Sequence, residues 1–379
     1  MESACKLVEG TLAKISVIYK FPPVFGVPVK PNKKGRYIFL PFLVISILNV
    51  ACVLGLGVIL KYAWDGRLVI SFVSLFIQLV VGFEAVSNIC YDIILYNDWL
   101  QLNWICRELK KLRRATMIST GMKEWSQLRS KVWTLHLQSG FYILFAQYTL
   151  LGLSCFFGPK LDGGYYYFQI LLLTSSWEVT CLGKLSRCVL TLTLNYHMLI
   201  GAISIVLYAF EFIALATDCV TANCVKNRSG HPAAARADYA AISILVCRVN
   251  KIARWTVSIA TGLGSGIFVV SMSVAIKYYG KVDIFVYLIF IICSSIMIFV
   301  MGLICPFAAK LNIVSVQFVD EWGRGEFREG GVKRHVRLAR AMKTIGMECS
   351  GVGIIGRVTL LHMFAAWLDN TMTVVLGLN

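Results

Sequence analysis

The residues in this chain that could do chemistry sit where polar groups are costly. The stretch MFAAWLDNTMTVVLGLN (363–379) is apolar at both ends yet holds Asp369, Asn370, Thr371 and Thr373 near its middle. A carboxylate beside an amide and two hydroxyls is not a catalytic set, since no base or nucleophile stands with it. It needs either a partner or water. Arg357 lies twelve residues away, about 18 Å along a helix, which is too far to be that partner. An aqueous path along this helix and a pairing elsewhere in the protein both remain open.

Other ionisable residues fall in apolar surroundings, where they count as functional candidates. These are Glu84 and Asp92, His197 and Glu211, and Arg357 and His362. For Glu84, Asp92 and Glu211 an internal pair, or a side chain reaching to the nearby membrane surface, is the simplest role. The five histidines lie in five separate segments, so no metal-ligand set forms. The thirteen cysteines contain no CxxC pair. Protease, nucleotide-binding, hydrolase and kinase motifs are missing, so no enzyme activity and no cofactor is expected. TGLGSGIF (261–268) has glycines at every second position but follows no strand. Its small residues Gly262 and Gly266, four apart, instead suit close helix packing.

The elements that hold these residues follow from composition. With 58% hydrophobic and 15% charged residues in 379, the chain is too apolar for an ordinary soluble protein. Several runs reach the roughly 20 residues needed to cross a bilayer core. The expected fold is all-α, a polytopic membrane protein with a seven-transmembrane helix bundle. The spans are Tyr37–Tyr62, Leu68–Tyr96, Trp133–Phe157, Val189–Thr217, Trp255–Tyr278, Ile284–Ala308 and Ile354–Leu378. A further apolar run, Tyr165–Lys184, is interrupted by Glu178 and reads as an outer loop rather than an eighth span.

Charge orients the bundle. Lys and Arg number 7 in 1–36, 8 in 98–132, 6 in 218–254 and 8 in 309–353, against 7 on the opposite side. Positive charge collects on the cytoplasmic side, which places the N-terminus in the cytoplasm and the C-terminus outside. The net charge of +17 is therefore a membrane signature, and nucleic acid is not an expected partner. The first residues lack a signal peptide's apolar core and cleavage site, so the first span is expected to direct insertion. The sequon Asn227-Arg228-Ser229 falls in a cytoplasmic loop and is expected to be unmodified. Cys155, Cys181 and Cys188 lie near the outer face, where a disulfide is permitted.

Four regions result: a cytoplasmic N-terminal segment (1–36), helices 1 to 6 with their basic loops (37–308), a cytoplasmic amphipathic helical segment (309–353) and the seventh helix (354–379). Within the third, VKRHVRLARAMKTIGM spaces Val332, Val336, Ala339, Met342 and Ile345 by three or four. The spacing predicts a basic amphipathic helix, lying on anionic lipid or docking against neighbouring subunits.

This order of features resembles the arthropod gustatory receptor family, which shares its fold with the insect odorant receptors. The local likeness is in SGVGIIGRVTLLHMFAAWLDNTMTVVLGLN, similar to the family's Arg-Thr step and its last helix ending in Thr-Tyr, five apolar residues, Gln and Phe. Arg357, Thr359 and Thr371 match, whereas Met372 replaces the tyrosine, Leu378 the glutamine and Asn379 the phenylalanine. The resemblance implies a tetrameric, ligand-gated, non-selective cation channel of the plasma membrane, opened by a small organic tastant. It also implies a pore lined by the last helix, with Asp369, Asn370 and Thr371 along it and Val375, Leu378 and Asn379 at the constriction. On helical spacing Thr371, Val375 and Leu378 share one face. In that family the outer halves of the helices enclose the ligand. The residues suited to this here are Phe76, Gln78, Phe145, Gln147, Tyr148, Asn195, Tyr196, His197 and Tyr287.

A G-protein-coupled receptor is the second reading. It needs the opposite orientation, and neither an Asp-Arg-Tyr after the third span nor an Asn-Pro-x-x-Tyr in the seventh is present. A secondary transporter would show repeated halves with broken helices, and no such repeat is seen.

Overall fold

Three helices in this protein are far longer than a bilayer is thick. The computed structural model describes residues 39–66, 71–120, 149, 181–282, 284–324, 342–349 and 353–377. Its helices are α1 (Phe39–Trp64), α2 (Phe72–Asn97), α3 (Trp99–Thr120), α4 (Cys181–Arg228), α5 (Pro232–Lys277), α6 (Ile284–Arg324) and α7 (Thr359–Gly377). Two short strands, β1 (Glu348–Cys349) and β2 (Gly353–Ile354), precede α7. The first, second, fourth, fifth, sixth and seventh expected spans fall on α1, α2, α4, α5, α6 and α7. The third span, the apolar run before Cys181 and the N-terminal segment lie outside the described residues.

At 48, 46 and 41 residues, α4, α5 and α6 are each more than 60 Å long at about 1.5 Å per residue, against roughly 30 Å of hydrocarbon. The surplus falls at the ends carrying the basic loops. There α4 turns into α5 through Ser229-Gly230-His231. Gly230 takes φ +91°, a left-handed value that costs glycine little, and Pro232 opens α5. The sequon lies at this turn.

These extensions build the main core. Ile105 and Leu109 of α3, Phe212 of α4, Tyr239 of α5, and Leu311 and Phe318 of α6 are all fully or nearly fully buried. Tyr239 stacks on Phe318 at 4.4 Å. Ion pairs tie the helices around this core: Lys110 to Glu211 at 2.5 Å, Arg113 to Asp218 at 3.1 Å and Lys226 to Asp238 at 2.8 Å. Glu211 thus has an internal partner, as its position suggested.

The segment before α7 corrects one expectation. The helix read through Met347 is not continued in its described part: 342–347 form neither helix nor strand, while Val332, Val336 and Ala339 lie outside the described residues. Side chains of neighbouring helices take the backbone groups that a helix would pair internally. The Tyr239 hydroxyl donates to the Lys343 carbonyl at 3.0 Å. Asn250 donates to the Gly346 carbonyl at 2.8 Å and accepts from the Glu348 N–H at 3.3 Å, and Ser315 accepts from the Ile345 N–H. Ile345, Gly346, Met347 and Cys349 are buried, so the segment is part of the core. Ile354, expected to start the last helix, instead pairs with Glu348 in the hairpin. The helix begins at Thr359, whose Oγ1 accepts the Gly356 N–H at 2.9 Å.

Candidate functional site

The last helix is held by one face. Thr359, Trp367 and Thr371 are its buried residues, and their spacing in multiples of four makes a single stripe. Trp367 is its main attachment. The indole N–H donates to Ser265 Oγ of α5 at 2.7 Å, Phe268 stacks on the ring at 4.6 Å and Phe364 meets it edge-on at 5.4 Å. One turn further on, the Ser273 hydroxyl donates to the Thr371 carbonyl at 3.5 Å.

The opposite side of α7 is open. Asp369, Asn370, Met372, Thr373 and Leu376 are exposed, and Asp369 makes no ion pair among the described residues. The structure divides the six candidate pore residues. Asp369 and Asn370 are on the open side, Thr371 is only 2% exposed against α5, and Val375 is half-buried. Leu378 and Asn379 lie outside the described residues. Helical arithmetic correctly joined Thr371 to Val375, but it could not show that their side leans on α5. His362 and Arg357 are exposed near the start of the helix.

The small-residue stretch on α5 is a junction of helices. A Cβ on Gly264 would lie 2.2 Å from Met297 Cε of α6, and one on Gly266 would lie 3.3 Å from Phe83 Cε2 of α2. Gly262 meets nothing within 4 Å. The packing expected of Gly262 and Gly266 is therefore made by Gly264 and Gly266. The sequence reading missed Ser265 and Trp367. A serine between two glycines inside an apolar span, and a tryptophan in an apolar helix, were the available signals.

In the outer half, Phe76 and Ile77 of α2, Val274 and Ala275 of α5 and Phe290 of α6 form a second buried cluster, with Tyr287 packed at its edge. Tyr287 also meets Tyr279 edge-on at 5.7 Å. Two of the expected ligand-lining residues, Phe76 and Tyr287, are thus brought together, and Gln78 is fully buried two residues along α2. Asn195, Tyr196 and His197 are on α4, with side chains outside the described set. Phe145, Gln147 and Tyr148 lie outside the described residues. Glu84 is buried with neither an ion pair nor a hydrogen bond among the described residues, and the side chain of Asp92 is outside them. Asn88 donates to Asn49 at 3.0 Å, a buried amide pair joining α2 to α1. Cys181 and Cys188 are both free thiols. Among the described residues no group of His, Cys, Asp and Glu could hold a metal ion.

The whole arrangement has counterparts among solved structures. The insect olfactory receptor OR5 from Machilis hrabei in complex with eugenol superposes with a TM-score of 0.67 at 11% identity, covering 98% of this chain and 98% of that one. A second structure of the same receptor gives 0.61 at 10% identity, covering 98% and 99%. No protein-family model matches the chain, nor does any curated protein sequence. The likeness is therefore one of fold, covering 98% of the chain, and it is the helical membrane fold that the sequence resemblance implied.

Proposed function

We propose that a chain with the insect olfactory receptor fold over its full described length is itself a chemoreceptor channel. In this reading it is a gustatory-type, ligand-gated, non-selective cation channel of the plasma membrane, opened by a small organic molecule and assembled as a tetramer. The observation that supports it most is the asymmetry of α7. An isolated membrane helix has no reason to turn Asp369, Asn370 and Thr373 away from its own bundle unless water or a like helix meets that side. A ring of such helices around an axis supplies both. Val375 then stands near the outer constriction as an apolar gate that closes by dewetting, with Leu378 and Asn379 beyond it and Thr371 on the flank that seats the helix.

The ligand site is the outer cluster. Phe76, Tyr287 and Gln78 combine aromatic walls with a hydrogen-bonding amide, the usual make-up of a small-molecule pocket. Asn195, Tyr196 and His197 of α4, together with Phe145, Gln147 and Tyr148, complete the proposed lining. Eugenol, the compound bound to the related olfactory receptor, is a reasonable first test ligand because it is aromatic with one hydroxyl donor.

Two measurements test this. Epitopes before Met1 and after Asn379, stained on intact and permeabilised cells, should show the C-terminal tag outside and the N-terminal tag inside. Whole-cell recording during a panel of small aromatics, eugenol included, should give currents reversing near zero in mixed cation solutions. A cytoplasmic C-terminal tag, or responses abolished by blocking G proteins, would instead favour the G-protein-coupled reading.

A further inference from the structure

Gly264, Ser265 and Gly266 are consecutive on α5, and each meets a different helix. Successive side chains on a helix point about 100° apart, so three neighbours can crowd one turn only where the residues between them are small. Gly264 faces Met297 of α6 and Gly266 faces Phe83 of α2, while Ser265 holds Trp367 of α7. The two apolar contacts lead straight to the outer cluster. Phe83 is seven residues from Phe76, and Met297 is seven from Phe290. Two turns of helix, about 10 Å, put each pair on one side of its helix. Phe76 and Phe290 belong to the outer cluster itself. A change in that cluster therefore bears, through α2 and α6, on the turn of α5 that seats the last helix. Beyond Thr371, α7 has no buried side chain among the described residues, so its outer turns are free to follow.

We propose that Trp367 is the positioning residue of the gate, and that its hydrogen bond to Ser265 passes displacement of the ligand-cluster helices to the outer part of α7. This rests on the channel reading above. It assigns Trp367 no contact with ligand or ion, only the seating of the helix that lines the ion path.

The test is a double-mutant cycle on the full chain with Trp367→Phe, Ser265→Ala and both together. Phenylalanine keeps an aromatic ring against Phe268 while removing the donor and the smaller ring of the indole, so folding should survive. One readout is the thermal unfolding midpoint of the purified protein in detergent, and the other is whole-cell current with and without eugenol. An ordinary hydrogen bond is worth about a fivefold change in an equilibrium. Each single variant should therefore shift the resting current or the eugenol dose–response by about that factor, in the same direction, and the double variant should go no further than either. The midpoint should show the same non-additivity. Additive effects on the midpoint would mean the bond is not made, and the proposal falls. Coupled midpoints with unaltered currents would make the bond structural only, which also overturns it. Coupled midpoints with no current from any version, the unmodified chain included, would place the failure in the channel reading instead, and the positioning role would fall with it.

Discussion

The end of the bundle that carries the basic loops and the C-terminal end of α7 are built on opposite principles. At the basic-loop end, four helices and the 342–349 segment enclose side chains with almost no exposed surface, and four backbone groups of that segment are claimed by side chains of neighbouring helices. At the C-terminal end of α7 no described side chain beyond Thr371 is buried. Interiors packed to crystal-like density transmit strain, whereas lightly packed segments open at little cost. The pairing suits a molecule that must stay assembled at one end while it moves at the other. Substitutions should separate the two regions, with stability responding to the first and conductance to the second.

The largest expected effect lies at the centre of the main core. Phe318→Ala removes a fully buried ring that stacks on Tyr239 and should cost about 3–5 kcal/mol. Loss of the monodisperse peak in fluorescence-detected size-exclusion chromatography would show it. A normal peak would mean this layer is not the stable half, and the comparison would break.

Next comes Asn250→Ala, which strands the Gly346 carbonyl and the Glu348 N–H together. At about 1–3 kcal/mol for each buried group left unpaired, the unfolding midpoint should drop clearly. Proteolysis should then begin near 342–349 rather than at the helix turns.

Tyr239→Phe is milder, since it removes one hydroxyl from the line linking Ser315 to the Lys343 carbonyl. A loss of about 1–2 kcal/mol is expected. The same residue predicts a pH effect. Burial pushes the Tyr239 phenol up from 10.0 to about 12. A raised folded pKa gives stability that is complete below pH 10 and is lost as pH rises towards 12. The unmodified protein should therefore soften across that window, and the phenylalanine variant should soften less. Parallel alkaline melting curves for the two would remove Tyr239 from the explanation.

The smallest effect on stability, and the sharpest test of the other region, is Asp369→Asn. The side chain is exposed and makes no ion pair among the described residues, so the midpoint should move by less than about 0.5 kcal/mol. Cation conductance should fall if the open side of α7 faces the ion path. A large loss of stability would mean that this side is covered by something other than water.

Much of this architecture was legible in the sequence because two strong physical signals are written there residue by residue. Apolar runs of bilayer length located the spans, and Lys and Arg marked the loops where the long helices continue past them. The polar patch at Asp369–Thr373 also stood out by composition alone. Less legible was anything that depends on which neighbour a residue meets. The run from Met342 to Met347 has apolar spacings that suit a helix, yet it is not helical because Tyr239, Asn250 and Ser315 compete for its backbone. Those residues are between 30 and 104 positions from the groups they bind, beyond any periodicity. The helix start at Thr359 moved for a related reason, since the hairpin takes Ile354 first.

The sequence by itself determined the class of molecule: a basic-sided bundle of membrane helices with a polar patch in its last span. These properties follow from each residue's own transfer energy between water, interface and hydrocarbon, and from the period of the helix. Only the tertiary structure decided which side of α7 leans on α5, which glycines admit a neighbour and which non-helical stretch is locked into the core. Those outcomes depend on close contact and hydrogen bonding between distant segments, where an error of one helical position exchanges a buried threonine for an exposed asparagine.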